Sequence, residues 1–310
     1  MITSPAIVLD LIEAFRRSKT MFTALELGVF DGARPADCKE LTRLLDACVA
    51  LGLLQKHDGE YVNTAEAEKY LKSSSPDTLS GYVHYSNIVL YPMWAHLEDA
   101  VREGTHRWKQ GFGLDGALFS HFFRTEEAAR DFLMGMHGFG QLSSPAVVAA
   151  FDLSRFRKLV DLGGATGHLA EAARAKYPQL AAVTFDLPAV AKLFPHVVPG
   201  DFFADPLPEA DLFALGRILH DWSEDKIRIL LRKIWAALPA GGALLIAEKL
   251  VDEEKTGPVP ALMQSLNMLV VTEGRERSLS EYRALLEEAG FSAVEGCQTG
   301  TPLDAILAVK

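Results

Sequence analysis

The chain has 310 residues, 49% hydrophobic and 23% charged, with a net charge of −10 shared about equally by its two halves. That is enough for two ordinary domains with a large core, and an acidic surface excludes the basic footprint of a nucleic-acid or anionic-membrane binder. No apolar run reaches the ~18 residues of a membrane span.

The N-terminal stretch MITSPAIVLDLIEAFRR carries acids inside its apolar run and lacks a basic leader, so it reads as an amphipathic helix rather than a signal peptide. Ile7, Leu11, Ile12 and Phe15 recur at helical spacing. A second helix is predicted from about Leu41 to Leu54, with Leu41, Leu44, Leu45, Cys48 and Leu51 on one face. His57-Asp58-Gly59 then turns the chain, and EYVNT alternates as a wing strand would. Helix followed by a small hairpin is how a winged-helix module ends. The shape serves DNA binding or helical packing and dimerisation. The missing basic face favours the second, because non-specific DNA affinity comes mostly from Lys and Arg on phosphates. Cys38, Cys48 and Cys297 form neither a disulfide framework nor a zinc spacing, which predicts a reducing, cytoplasmic setting.

Residues 80–140 are rich in aromatics, Tyr82, Tyr91, Trp94, Trp108, Phe119 and Phe132 among them. Such rings build a core and can also wall a flat apolar ligand. Composition places the domain boundary near 150: a helical domain over 1–150 and a second domain over 151–310.

From Arg157 short apolar runs alternate with helices. KLVDLGG, AAVTFDLP, HVVPGDFF, ADLFALGRILH and GALLIAEKL are five strand-like segments, and Ile227, Leu230, Leu231, Ile234 and Leu238 form a helical stripe. The alternation predicts an α/β doubly wound, mostly parallel sheet covered on both faces. A further helix starts at a capping box, Ser278 with Glu281, and stops at Gly290. SAVEGCQTG and DAILAVK read as a hairpin added to the sheet edge.

Open α/β sheets hold ligands at the carboxyl ends of their strands. VDLGGATG ends the first strand and opens a helix. Counted from Gly163, its third position is Ala165 and its sixth His168, so the dinucleotide fingerprint fails. Asp161 stands two residues before Gly163 and suits a positively charged ligand; otherwise it is a cap beside turn glycines. Asp186 ends the second strand, where a carboxylate can accept from both hydroxyls of a ribose. Asp201, with Phe202, ends the third, Arg217 and His220 the fourth, Glu248 the fifth. Any one of these could be a cap or a packed residue, His220 included. Five strand ends converging favour a nucleoside-type cofactor site.

The sequence resembles the S-adenosylmethionine-dependent O-methyltransferases of the hydroxyindole type and their plant caffeate and flavonoid relatives. DLGGATG, VTFDLP, GDFFADPLPEAD, RILHDW, LLIAEKLVDE, SLNMLV and EGRER carry the resemblance over nearly the whole chain. MHGFGQL, LMQSLNMLV, ERSLSEY and DAILAVK point to a branch whose methyltransferase module follows a Maf-type nucleotide pyrophosphatase domain. The resemblance implies a class I methyltransferase Rossmann-like sheet behind a helical, winged-helix-like dimerisation domain, and a homodimer through the N-terminal helices. It implies S-adenosylmethionine as cofactor: Asp186 on the ribose, Gly200, Asp201 and Phe202 at the adenine end, Arg217 closing over it and Gly163 bordering its methionine tail. His220 would be the general base, Glu248 and Glu276 would flank its imidazole, and Asp221, Asn267 and Met268 would face the acceptor.

The chemistry suits these residue types. Methyl transfer from a sulfonium is an in-line displacement in which positioning supplies much of the effect. A phenol-like acceptor, with a pKa near ~10, needs a base at neutral pH, and an imidazole near ~6.5 is free to take its proton. No ligand spacing calls for a metal. The chain departs from the family where Phe123 and Gly140 stand in place of Tyr and Trp contacts to the cofactor. It also reads short near Asp31–Ala33 and near Phe194–His196. Two further readings are a cofactor-binding scaffold without turnover, motivated by those lost aromatics, and a winged-helix regulator.

Overall fold

A computed structural model describes residues 4–35 and 37–310. The chain divides into two compact units, Met1–Val89 and Leu90–Lys310. The division falls well before the expected boundary at 150, so the segment 90–150 clusters with the sheet-bearing unit. The physical cause is visible at Trp108, whose Nε1–H donates to the carbonyl of Val271 at 2.9 Å in a fully buried bond.

The first unit is built on α1 (Ala6–Glu26) and α2 (Leu41–Ala50). β1 (Leu54–His57) and β2 (Glu60–Asn63) form the expected hairpin, paired from Leu54↔Asn63 to His57↔Glu60 across Asp58-Gly59. Phe22, Phe30, Leu45, Cys48 and Leu54 make its core. The N-terminal half of α1 buries nothing: Ile7 is 75% exposed, Leu11 68% and Phe15 54%.

The second unit carries α3 (Tyr91–Trp94), the long α4 (Glu126–Ala149), and then alternating strands and helices. The strands are β3 (Lys158–Leu162), β4 (Ala181–Asp186), β5 (Val198–Pro199), β6 (Leu212–Gly216), β7 (Ala243–Glu248), β8 (Ser292–Cys297) and β9 (Asp304–Val309). Among them run α5 (His168–Lys176), α6 (Glu224–Ala237), α7 (Val259–Val271) and α8 (Leu279–Glu288). The sheet order is β5-β4-β3-β6-β7-β9-β8. β5 to β7 pair in parallel, and β9 joins antiparallel between β7 and β8. The expected edge hairpin is present, with β9 docked on β7.

Side-chain alternation decides which helices cover which face. Phe213 and Leu215 of β6 point into a cluster with Leu230, Ile234 and Leu286; Leu212 and Ala214 point into the opposite one with Leu169, Ala173 and Val147. All six residues of β7 are buried, as a central parallel strand requires. The capping box at α8 forms as predicted. The expected third strand is a correction in length: only Val198 and Pro199 pair, with Phe185 and Asp186. Pro199 has no N–H to extend the ladder, so Gly200, Asp201 and Phe202 lie in the turn beyond it. Among the described residues no helix is long and apolar enough to cross a membrane. The strand order reverses between the parallel neighbours β3 and β6, the switch point at whose carboxyl ends such sheets form a crevice.

Candidate active site

The glycine turn forms one wall of that crevice. Gly163 continues the ladder by donating to Phe185 O at 2.7 Å, at a φ of +70°. A Cβ there would stand 2.5 Å from Ile218 Cδ1, which would have to shift, and the positive φ itself favours glycine. Asp161 lies beneath the turn, 1% exposed, and neither carboxylate oxygen has a hydrogen-bond partner. Burial, with Asp186 nearby, pushes its carboxyl up to about 7. Asp186 accepts from Leu187 N at 2.7 Å and Ala165 N at 2.8 Å, so it clamps the end of β4 to the turn. Its burial raises it to about 6.

The turn after β5 is fixed by its own polar groups. Gly200 N–H donates to Asp186 O at 2.8 Å, and Asp201 Oδ1 accepts from Phe203 N at 2.7 Å. Lys233, on α6, donates to the carbonyls of Phe202 and Phe203 at 2.8 and 3.0 Å. No local pattern signals this anchor, which depends on where α6 docks. Phe202 packs into the sheet's apolar cluster and faces Gly163.

Arg217 follows β6 in the left-handed region, at φ +58°, with its N–H held by Ala247 O at 3.0 Å. Such a conformation in a non-glycine residue stores strain and persists only where its surroundings enforce it. The guanidinium lies 4.9 Å over the Phe139 ring, and its Nε is buried without a partner. Next to Phe139, Gly140 has no room for a side chain: a Cβ would stand 2.2 Å from Nε2 of His168, whose Nδ1 pairs with Ser144 Oγ at 2.8 Å. The histidine fills the space that the departure at Gly140 leaves, and burial keeps it neutral, with its pKa down to about 4.

His220 sits on a single 3-10 turn, Leu219–Asp221, and is 3% exposed. Its Nδ1 lies 2.6 Å from Glu276 Oε1 and 3.3 Å from Glu248 Oε2. Asp221 Oδ1 is 3.7 Å from Nε2 on the other side of the ring. The structure thus brings together all three residues of the expected trio, and it separates their parts. Glu248 Oε1 accepts from the backbone of Ile218, Leu219 and His220 at 3.0, 2.9 and 3.4 Å, gathering the turn that carries the imidazole. Arg277, nearly fully buried, donates to Leu219 O at 3.4 Å. Burial pushes Glu276 up to about 8, and Glu248 and Asp221 to about 7. The cluster therefore retains a proton. In the tautomer that donates Nδ1–H to Glu276, Nε2 presents a lone pair. The trio also offers three ligand atoms within 4.8 Å of one another. Two ligands of one zinc ion stand roughly 3 Å apart or more, so the 2.6 Å Nδ1–Oε1 pair is set as a hydrogen bond.

Trp222 stacks on Phe119, with centroids 4.9 Å apart, and packs edge-on against Phe203. Asn267 and Met268 are buried on α7, which packs against the turn of His220.

A family model described as an O-methyltransferase domain matches residues 94–292. A human protein named probable bifunctional dTTP/UTP pyrophosphatase/methyltransferase protein is 41% identical over 99% of this chain, which spans 54% of that relative. Bovine acetylserotonin O-methyltransferase is 39% identical over 96% of the chain and 95% of its own length. The crystal structure of human N-acetylserotonin methyltransferase in complex with SAM superposes with a TM-score of 0.95 at 36% identity, covering 100% of this chain and 98% of that one. PigF with SAH gives 0.88 at 29% identity, covering 99% and 100%.

Proposed function

This chain belongs to the O-methyltransferase family, and we propose that it methylates the hydroxyl of a small hydroxyindole-like aromatic, using S-adenosylmethionine and His220 as general base. The observation that carries this reading is the 2.6 Å contact between His220 Nδ1 and Glu276, in a buried turn at the carboxyl end of β6.

The crevice fits the cofactor by its charge. Asp161 is a buried acid without a partner and Asp186 stands next to it, a pairing that suits a cationic ligand on the glycine turn. Gly163 and Asp186 would hold the amino-acid and ribose ends, Gly200, Asp201 and Phe202 the adenine, and Arg217 would close over it. When bound, S-adenosylmethionine supplies an electrophilic methyl group on a sulfonium.

The chain's own residues do the rest. Nε2 of His220 takes the acceptor's hydroxyl proton, a contribution of about 10²–10⁴-fold for a positioned base. Glu276 holds the Nδ1–H and stabilises the imidazolium. Glu248 holds the turn. Asp221, Asn267 and Met268 face the acceptor.

The unit Met1–Val89 serves dimerisation in this reading, and Leu90–Lys310 binds cofactor and acceptor. The apolar face of α1 supports a homodimer, because residues such as Ile7, Leu11 and Phe15 gain from burial against a second copy. Its free cysteines agree with a cytoplasmic protein. A labelled-methyl transfer screen over hydroxyindoles and catechols, run beside His220→Ala, tests the proposal. Transfer that disappears in the variant is expected. Its absence with every phenolic acceptor, or its survival in His220→Ala, would refute the reading.

A further inference from the structure

Trp94 and Asn267 lie 173 positions apart and share one hydrogen bond, from indole Nε1 to Asn267 Oδ1 at 2.8 Å. An indole N–H can only donate, so the atom that meets it must be the amide oxygen. The NH2 group therefore points away from Trp94. Asn267 is nearly buried, yet its Nδ2 makes no hydrogen bond among the described residues and is not closed off from open space.

Three donors from the segment 94–108 hold this side of α7. Arg107 N–H donates to Val270 O at 2.8 Å and Trp108 Nε1 to Val271 O at 2.9 Å. Those two satisfy backbone carbonyls at the end of a helix, an ordinary structural duty. Trp94 alone takes a side chain, on the helix that packs against the His220 turn.

We propose that Trp94 is a positioning residue that fixes the polarity of the Asn267 amide, so that the acceptor meets a donor there and never an acceptor. The proposal rests on the acceptor-binding reading above and deepens it. Asn267 would otherwise be free to flip and present either end. Held by Trp94, it selects a hydroxylated aromatic whose side arm carries a hydrogen-bond-accepting oxygen, such as an amide or ketone carbonyl. An aromatic with a plain alkyl arm leaves the N–H group unpaired.

The test compares two 5-hydroxyindoles, one with an acetamide arm and one with an alkyl arm of equal length. Each is measured by kcat, KM and calorimetric Kd in the full chain, in Trp94→Phe, Asn267→Ala and Asn267→Asp, and in the double variant Trp94→Phe/Asn267→Ala. The wild type should prefer the acetamide in KM and Kd by roughly tenfold, the scale of one neutral hydrogen bond. Trp94→Phe keeps a ring in place and should erase most of that preference, with kcat changed less than about threefold. Asn267→Asp, which accepts from Trp94 but cannot donate, should abolish it. Trp94→Phe should add nothing to Asn267→Ala. A merely structural tryptophan would weaken both indoles alike and add its effect to that of Asn267→Ala; either result overturns the proposal, as does a wild type with no preference. If calorimetry shows the preference without turnover of either indole, the acceptor reading fails and the role of Trp94 stands.

Discussion

Glu276 places Oε1 2.6 Å from Nδ1 of His220, whereas Glu248 commits its own Oε1 to the backbone amides of Ile218 and Leu219 at 3.0 and 2.9 Å. Two residues of one type beside one ring thus serve different purposes. In the proposed mechanism Glu276 sets which ring nitrogen carries the proton, while Glu248 holds the turn in shape. Glu276→Gln is expected to lower kcat about tenfold or more, with S-adenosylhomocysteine affinity within about twofold of wild type. Glu248→Ala leaves buried amides unsatisfied and should cost about 3 kcal/mol of stability, Glu248→Gln only about 1. Steady-state kinetics and denaturant unfolding separate the two. Equal kinetic and stability losses in Glu276→Gln and Glu248→Ala would contradict the division.

The buried acids predict how stability varies with pH. Burial raises Glu276 to about 8 and Glu248, Asp221 and Asp161 to about 7, from ordinary values of 4.5 and 3.8. Between those limits the folded chain holds protons that the unfolded chain has released. Stability is therefore fully present below the unfolded values and is lost as pH rises through about 7 to 8. The ligand-free protein should melt several degrees lower at about pH 8.5 than at about pH 6. Glu276→Gln, which removes the most strongly raised of these carboxyls, should flatten the slope. A melting temperature that rises over this range would count against the protonated cluster.

Gly163→Ala adds a Cβ 2.5 Å from Ile218 Cδ1 at a φ of +70°. The expected outcome is a cofactor Kd raised by roughly tenfold or more, with a smaller loss of stability because the tip of Ile218 can move. Calorimetry with S-adenosylhomocysteine reads the first and thermal unfolding the second. An unchanged Kd would remove Gly163 from the cofactor site.

Gly140→Ala would drive its methyl into the His168 ring, with 2.2 Å to Nε2. Overpacking of this kind costs about 1–3 kcal/mol. His168→Ala in the same chain should recover most of it, so the two substitutions are expected to couple. Additive losses in unfolding experiments would show that the ring does not fill the space beside Gly140.

On α1, Leu11→Lys with Phe15→Glu replaces two exposed apolar side chains by charges. Sedimentation should report a dimer for the wild type and a monomer for the variant, with the fold of each unit retained. A variant that remains dimeric would place the interface elsewhere.

The sequence by itself determined the order of elements, the capping box at Ser278, the hairpin at Asp58-Gly59 and the row of polar residues at strand ends. Periodicity and turn chemistry are local, so they can be read from neighbours in the chain. His220 could be placed at the end of a strand, but not told apart from a packed histidine until a family resemblance supplied Glu276. Only the tertiary structure decided which glutamate touches the ring, that Asp161 is buried without a partner, that β5 stops at Pro199, and that residues 90–150 cluster with the sheet. It also joined Trp94 to Asn267, and Lys233 to the carbonyls after β5. These are contacts between residues 30 to 173 positions apart. Nothing in the local pattern encodes them, because they arise from how helices dock on a sheet, and docking is set by the sum of many buried side chains rather than by any short motif.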